Sequence, residues 1–278
     1  MPAPSPPTLP ATIEDVQAFW DRRPCNIRHS RQPLGTRGYF DEVERRKYFV
    51  EPHIPAFADF PRWKGKRVLE VGCGIGTDAV NFCRAGASLT AVDVSAESLK
   101  ITAQRLTGYG LQADLHQADA EQLDFLPDDH YDLVYSFGVL HHTPSPPAAF
   151  AHCARVLKPG GELRCMVYNS RSYKVLWAWL KYGCEGRGWR WRQAVRYHAE
   201  AQSGCPVVHM YANADIPALV RPLEVVRMWN DHIFPYVVSE YVQHRYRKLW
   251  YFRLLPAPVF RRLERTFGWH KLIIARKH

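Results

Sequence analysis

No run of about 18 consecutive apolar residues occurs in this 278-residue chain, so no membrane-crossing helix is expected. The seven cysteines contain no C-x-x-C pair. That odd, scattered set argues against a disulfide framework or a structural zinc, and fits a reducing, cytoplasmic compartment. Four methionines are too few for a methionine-lined groove. The proline-rich start, residues 1–11, has neither a basic n-region nor an apolar h-region, and reads as a disordered tail rather than a secretory signal. The 46% hydrophobic content is enough for one large domain, or for one domain with a substantial cap.

Acidic residues are scarce in the last third. From residue 171 onward, 19 Lys and Arg stand against 7 Asp and Glu, whereas residues 1–170 carry 18 against 20. Seven of the nine tryptophans also fall in the basic part. Lys174, Lys181, Arg187, Arg190, Arg192 and Arg196 interleave with Trp177, Trp179, Trp189 and Trp191. A basic aromatic surface can serve nucleic acid, an anionic membrane or an acidic small substrate. Its arginines can equally solvate helices whose tryptophans pack inward.

The best-defined stretch runs from Arg67 to Asp78 (R-V-L-E-V-G-C-G-I-G-T-D). Val68, Leu69 and Val71 form a short apolar strand pattern, three alternating glycines follow, and Ala79, Val80, Phe82 and Cys83 give a helical apolar face. Glycines between a strand and a helix let the backbone turn tightly and approach a nucleotide closely. A second strand pattern, Ser88 to Val92, ends on Asp93, where an acid can accept both hydroxyls of a ribose.

At this point the chain resembles a known family. E-V-G-C-G-I-G at Glu70 to Gly76, V-D-V-S at Val92 to Ser95, Gln117 to Glu121 (Q-A-D-A-E) and Leu157 to Gly161 (L-K-P-G-G) together resemble a class I S-adenosylmethionine-dependent methyltransferase. The resemblance implies an α/β, Rossmann-like, seven-stranded and mostly parallel sheet with helices on both faces. It implies S-adenosyl-L-methionine as donor, S-adenosyl-L-homocysteine as product, and no metal. By position, Glu70 would orient the glycine loop and the donor's amino group. Gly72, Cys73 and Gly74 would line its amino-acid and ribose portions. Asp93 would take the ribose hydroxyls, Val94 would flank the adenine, and Asp119 with the Ala120 backbone would accept the adenine amino group. Phe137 would face the sulfonium.

Alternation of strands and helices places the donor-binding core at residues 66–168, continued at 211–230 and in a final strand at 270–278. Residues 12–65 would form N-terminal lid helices, with Thr12 capping a helix over Ile13–Trp20 and a second helix over Tyr39–Glu51. Two insertions, 169–210 and 231–269, leave from the acceptor side of the sheet and would make a composite helical cap. Ser172–Tyr182 and Glu240–Leu254 read as amphipathic helices within it. His142, His141 and His232 are the candidate bases, since an ordinary imidazole pKa suits proton transfer near neutrality. Tyr39, Tyr48, Tyr168, Tyr211 and Tyr236 are candidates for the acceptor wall. No carboxylate or histidine follows the His141–His142 pair at ligand spacing on one helix, so no zinc site is expected there.

Three functions compete at this level. The first is methylation of a small molecule at oxygen, nitrogen or sulfur in a capped pocket. The second is methylation of a quinone, lipid, glycan precursor or RNA, with the basic third touching a membrane surface or nucleic acid. The third is a non-catalytic binder that kept the fold. No N-P-P-Y-type tetrad follows the fourth strand, which weighs against amino-group methylation of bases. The oligomeric state is left open.

Overall fold

The structure is a computed structural model, and it describes residues 11–183 and 204–278. The strands are β1 (Arg67–Val71), β2 (Ser88–Asp93), β3 (Asp114–Gln117), β4 (Tyr131–Phe137), β5 (Leu157–Asn169), β6 (Met210–Tyr211), β7 (Glu224–Asp231) and β8 (His270–Arg276). The helices are α1 (Ile13–Arg22), α2 (Arg37–Val50), α3 (His53–Ala58), α4 (Thr77–Arg84), α5 (Ala96–Gly108), α6 (Pro146–Val156), α7 (Tyr173–Ala178), α8 (Ile216–Leu219), α9 (Val238–Tyr241), α10 (Trp250–Arg253) and α11 (Ala257–Phe267). Short 3-10 and π turns join several of them.

One sheet runs in the order β3-β2-β1-β4-β5-β8-β7, with only β8 antiparallel to its neighbours. The seven-stranded expectation is met by this path. The eighth strand, β6, pairs with the far end of β5 through Tyr168 and Asn169. It lies where β4 has already ended at Phe137, so the overhanging end of β5 gains a second partner there. Successive residues of each strand point to opposite faces. Val68, Leu133, Tyr135 and Leu272 join one core cluster, while Leu69, Val71, Val134 and Ile273 join the other. Helices therefore cover both faces of a sheet whose central strands are apolar on both sides.

The first N-terminal helix starts at the cap read for it. Thr12 and Asp15 form a capping box on α1. Asp21, near its end, accepts from the Ser95 hydroxyl at 2.8 Å and so fixes α1 to the start of α5. Ser95 itself caps α5 by accepting from the Ser98 amide. Helix α2 buries Tyr39, Phe40 and Val43 against Ile75 and Ile101. Arg105 of α5 is fully buried and donates to Thr77 Oγ1 (2.6 Å), Phe40 O (3.1 Å) and Glu44 Oε2 (3.3 Å), tying α2, α4 and α5 together.

The cap differs from the sequence expectation. Glu240–Leu254 is not one helix. It is the end of the one-turn α9, a left-handed residue at His244, Lys248 in a strand-like bridge to Tyr236, and the single turn of α10. The longest helix of this region is α11, which the sequence reading left inside the insertion without a helix of its own. Ser172–Tyr182 is helical as read, starting as α7 on the Ser172 cap and continuing as a π turn over Trp179–Gly183. Arg187, Trp189, Arg190, Trp191, Arg192 and Arg196 lie outside the described residues. Trp177 and Trp179 are substantially exposed rather than packed inward. Among the described residues no helix is long and apolar enough to cross a membrane.

Candidate functional site

The carboxyl ends of β1, β2 and β4 open into a cavity of about 820 Å³. Of the nine residues expected at the donor, Gly72, Cys73, Gly74, Asp93, Val94, Asp119, Ala120 and Phe137 line it. Glu70 does not; it is buried just beneath the loop.

The glycine loop is held open by specific contacts. Gly72 has φ +79°, and a Cβ there would lie 2.2 Å from the Val139 side chain. Gly74 has φ +54°, and a Cβ there would meet nothing within 4 Å, so its empty side faces the cavity. The amide of Gly74 donates to Asp93 Oδ2 at 2.7 Å, and the amide of Ser95 donates to Oδ1 at 2.9 Å. Each oxygen of Asp93 keeps a second lone pair for a hydroxyl group. Burial raises the Asp93 carboxyl to about 6, although the two amide bonds pull the other way. Burial, with the Asp78 carboxylate, also holds Glu70 well above the usual carboxylate range. Its Oε2 is buried with no hydrogen-bond partner among the described residues. An unpartnered acceptor under an open glycine cradle, beside an acid with spare lone pairs, fits an aminoacyl ribonucleoside such as S-adenosylmethionine.

Asp119 accepts from the Glu121 amide at 2.9 Å, and burial raises its carboxyl above the ordinary value. Ile13, Val16 and Trp20 of α1 complete this end from above. Lys47 also lines it. Burial alone would push its ammonium down, but Asp78, Glu51 and Glu70 outweigh that and hold it above its ordinary value. The sequence reading placed Lys47 only within the Tyr39–Glu51 helix, because its partner Asp78 (3.0 Å) lies on another helix.

Beyond Phe137 the same cavity is lined by aromatic and histidine side chains. Tyr168 stacks on Trp269 with ring centroids 4.1 Å apart. His142 presents its ring beside Trp20 and Tyr168, with Nδ1 2.7 Å from Val207 O and 3.5 Å from Cys205 Sγ. His141 points away, fully buried against Tyr168, and burial drives its imidazole well below the ordinary value. His232 does line the cavity, held with φ +67° at the end of β7. Tyr236 and Tyr168 line it too, but Tyr39, Tyr48 and Tyr211 do not. The Tyr39 hydroxyl donates to Ile27 O, and the Tyr48 hydroxyl donates to Asp78 Oδ1, both inside the packing of α2.

Three residues here escaped the sequence reading. Glu51 follows α2, His53 begins α3, and His270 begins β8 opposite Asp231 of β7. His53 Nε2 and His270 Nδ1 are 3.0 Å apart, and His270 Nε2 lies 3.7 Å from Glu51 Oε1. The His232 and His270 rings stack 4.6 Å apart. Burial lowers His53 and His232 to about 3 and His270 well below its ordinary value, so the imidazoles are neutral at pH 7. No spacing rule gathers residues from such separate segments; only β7 and β8, paired side by side, bring His232 and His270 together.

Comparison with known proteins agrees with this geometry. Residues 68–161 match the family model described as a methyltransferase domain. The ubiquinone biosynthesis O-methyltransferase of Klebsiella pneumoniae is 37% identical over 116 residues, which cover 42% of this chain and 46% of that protein. The chain spans about half the length of the curated relatives it matches. Magnesium protoporphyrin IX methyltransferase from Synechocystis, solved with bound SAM, superposes with a TM-score of 0.55 at 14% identity, covering 98% of this chain and 100% of that one. The cyclase SpnF superposes at a TM-score of 0.60 and 19% identity, covering 98% of both. At such identities the two structures share the fold with this chain and establish nothing about its activity.

Proposed function

We propose that the core of this chain is that of a class I S-adenosylmethionine-dependent methyltransferase, and that the protein moves the donor's methyl group to a hydroxyl of a small, largely apolar aromatic acceptor. The observation that carries this reading is the single cavity that runs from Asp93 and Asp119, past Phe137, to Tyr168, His142, His232 and Tyr236. Donor and acceptor ends share one space, as an in-line displacement requires. The O-methyltransferase name of the relatives supports oxygen as the nucleophile.

The donor supplies a methyl group already activated on a positively charged sulfur. Asp93 accepts the ribose hydroxyls, and Asp119 with the Ala120 amide holds the adenine edge. Glu70 receives the amino group from below the loop, and Lys47 pairs with the donor carboxylate. Val139, packed into the space beside Gly72, keeps that loop from collapsing into the cavity. Helix α1 closes over the donor, and Tyr168 on Trp269 gives the acceptor a flat apolar wall. His142 is a cavity-facing histidine placed to orient the acceptor hydroxyl and take its proton.

A second reading, an acceptor with a long apolar tail such as a prenylated quinone, is favoured by one observation. A second cavity of about 680 Å³, lined by Val175, Leu176, Phe252, Leu255 and Leu263, shares Tyr173, Ile233, Tyr251 and Phe267 with the first.

Calorimetric titration with S-adenosylmethionine and S-adenosylhomocysteine, followed by a donor-consumption screen over phenols, catechols, thiols, amines, prenylated quinones and RNA, tests both. Turnover on short phenols or catechols supports the first reading, and turnover only on tailed substrates supports the second. Absence of donor binding would sink both.

A further inference from the structure

We propose that Glu51, His232 and His270 form a divalent-metal site at the acceptor end of the cavity, suited to zinc, cobalt, iron or nickel rather than magnesium or calcium. Its role in the reaction rests on the methyl-transfer reading above; its existence does not.

The three residues each offer one ligand atom, and those atoms lie within 4.8 Å of one another. Bonds of about 2.0–2.2 Å to imidazole nitrogen and carboxylate oxygen place neighbouring ligands roughly 3–4 Å apart. The 3.7 Å between His270 Nε2 and Glu51 Oε1 already falls in that range. All three side chains face the cavity. Two neutral imidazoles and one carboxylate are a ligand set for the later first-row ions, whereas magnesium and calcium prefer oxygen alone. His53, 3.0 Å from His270 Nδ1, stands where the outer hydrogen-bond partner of a ligating histidine normally stands, and it leaves Nε2 turned toward Glu51. The backbone of His232 adopts φ +67°, an uncommon conformation for a residue other than glycine, and that conformation directs its ring toward His270.

Three protein ligands leave further positions open to the cavity. The cluster adjoins Phe137, with ring centroids 5.9 Å from His53 and 5.5 Å from His270. An ion there would lower the pKa of an acceptor hydroxyl presented to it. The O–H proton would pass to His142, the base named above, and the oxygen's electron pair would form the bond to the methyl carbon as the carbon–sulfur bond breaks. Lys174 opposes the site: its ammonium lines the same cavity and acts on both His232 and His270. Affinity is therefore a contest between three ligands and the positive charges that face them, Lys174 on the histidines and Lys47 on Glu51.

The test uses the full chain, stripped with chelator and without donor or acceptor, titrated calorimetrically with Zn²⁺, Co²⁺ and Mg²⁺. One zinc or cobalt per chain is expected, with no saturable magnesium binding. Glu51→Gln and His232→Ala should each weaken zinc binding by more than the roughly 10–100-fold typical of an outer partner, and His53→Gln by about that amount. S-adenosylhomocysteine affinity, measured on the same samples, reports that each variant is folded. Should His232→Ala not fold, Glu51→Gln decides. Zinc binding that is absent, or that is unchanged in a folded Glu51→Gln, overturns the proposal. Because no methyl transfer is read, a wrong acceptor assignment leaves the result standing.

Discussion

At the donor end, Gly72 to Gly74, Asp93 and Asp119 come from the tips of β1, β2 and the turn after β3, three neighbouring strands within about fifty residues of sequence. Their work is done largely by backbone amides, missing side chains and carboxylates. At the acceptor end, Glu51, His53, Tyr168, His232, Trp269 and His270 come from four separate segments, and side-chain rings do most of the work. The first design is fixed by local backbone geometry and tolerates no change in it. The second is fixed by packing between distant segments, so single rings can be exchanged without disturbing the strand tips. Variants at the two ends should accordingly fail in different ways.

The largest expected effect is Gly72→Ala. A left-handed conformation costs an alanine about 1–2 kcal/mol, and crowding Val139 adds about 1–3 kcal/mol. Loss of roughly 3 kcal/mol of stability together with loss of donor binding is expected, read by urea unfolding and calorimetry. Full donor affinity in this variant would break the comparison. Arg105→Met comes next, at about 1–3 kcal/mol of stability, because it removes the buried donor to Thr77 Oγ1 and Phe40 O, while Glu44 keeps Arg84 at 2.8 Å. Its urea midpoint should fall while the acceptor-end aromatics stay in place, which near-ultraviolet dichroism from Trp269 and its neighbours can follow.

The same contrast explains what was legible in the sequence. Gly72 and Asp93 sit in short motifs whose spacing encodes strand, turn and helix, and the sheet followed from them; the donor roles, Asp119's included, were implied by the family resemblance. Thr12 announced its helix because capping is a local hydrogen bond. Glu51 and His270 carry no local signal; they meet only after β8 has inserted between β5 and β7. Tyr39 and Tyr48 misled because an amphipathic helix shows which residues turn inward but not whether they reach a cavity or a neighbouring helix. Helix α11 was hidden by its neighbours, since Arg261 and Arg265 face Asp231 at the end of β7 rather than solvent alone.

Asp93 sharpens the comparison with a smaller effect. Asp93→Ala should weaken donor binding by about 1–3 kcal/mol, the scale of hydrogen bonds to a charged group. The ribose hydroxyls need the ionised carboxylate, and burial has raised that carboxyl to about 6 in the free protein. Donor affinity should therefore be constant above pH 7 and fall as pH drops through about 6, the protonated form being the one that cannot bind. Titrations of S-adenosylhomocysteine between pH 5 and 8 will show this, and Asp93→Asn should lose the pH step along with the affinity. An unchanged step in Asp93→Asn would assign it to another group.

The smallest effect belongs to Tyr48→Phe, which separates a wall residue from a packing residue. The Tyr48 hydroxyl donates to Asp78 Oδ1 at 2.9 Å and accepts from Asn81 at 3.0 Å, facing α4 and not the cavity. Removing it leaves Asp78 with Lys47 at 3.0 Å and the Tyr135 hydroxyl at 3.0 Å, so the carboxylate is not stranded. Asn81 retains its bond to Thr77 O. The cost should therefore lie near the low end for a buried hydrogen bond, about 1 kcal/mol, read as a small shift in the urea midpoint. Acceptor KM should stay as in the parent. A raised KM with unchanged stability would return Tyr48 to the acceptor wall, and would mean that α2 moves far enough during binding to bring its inner face into the cavity.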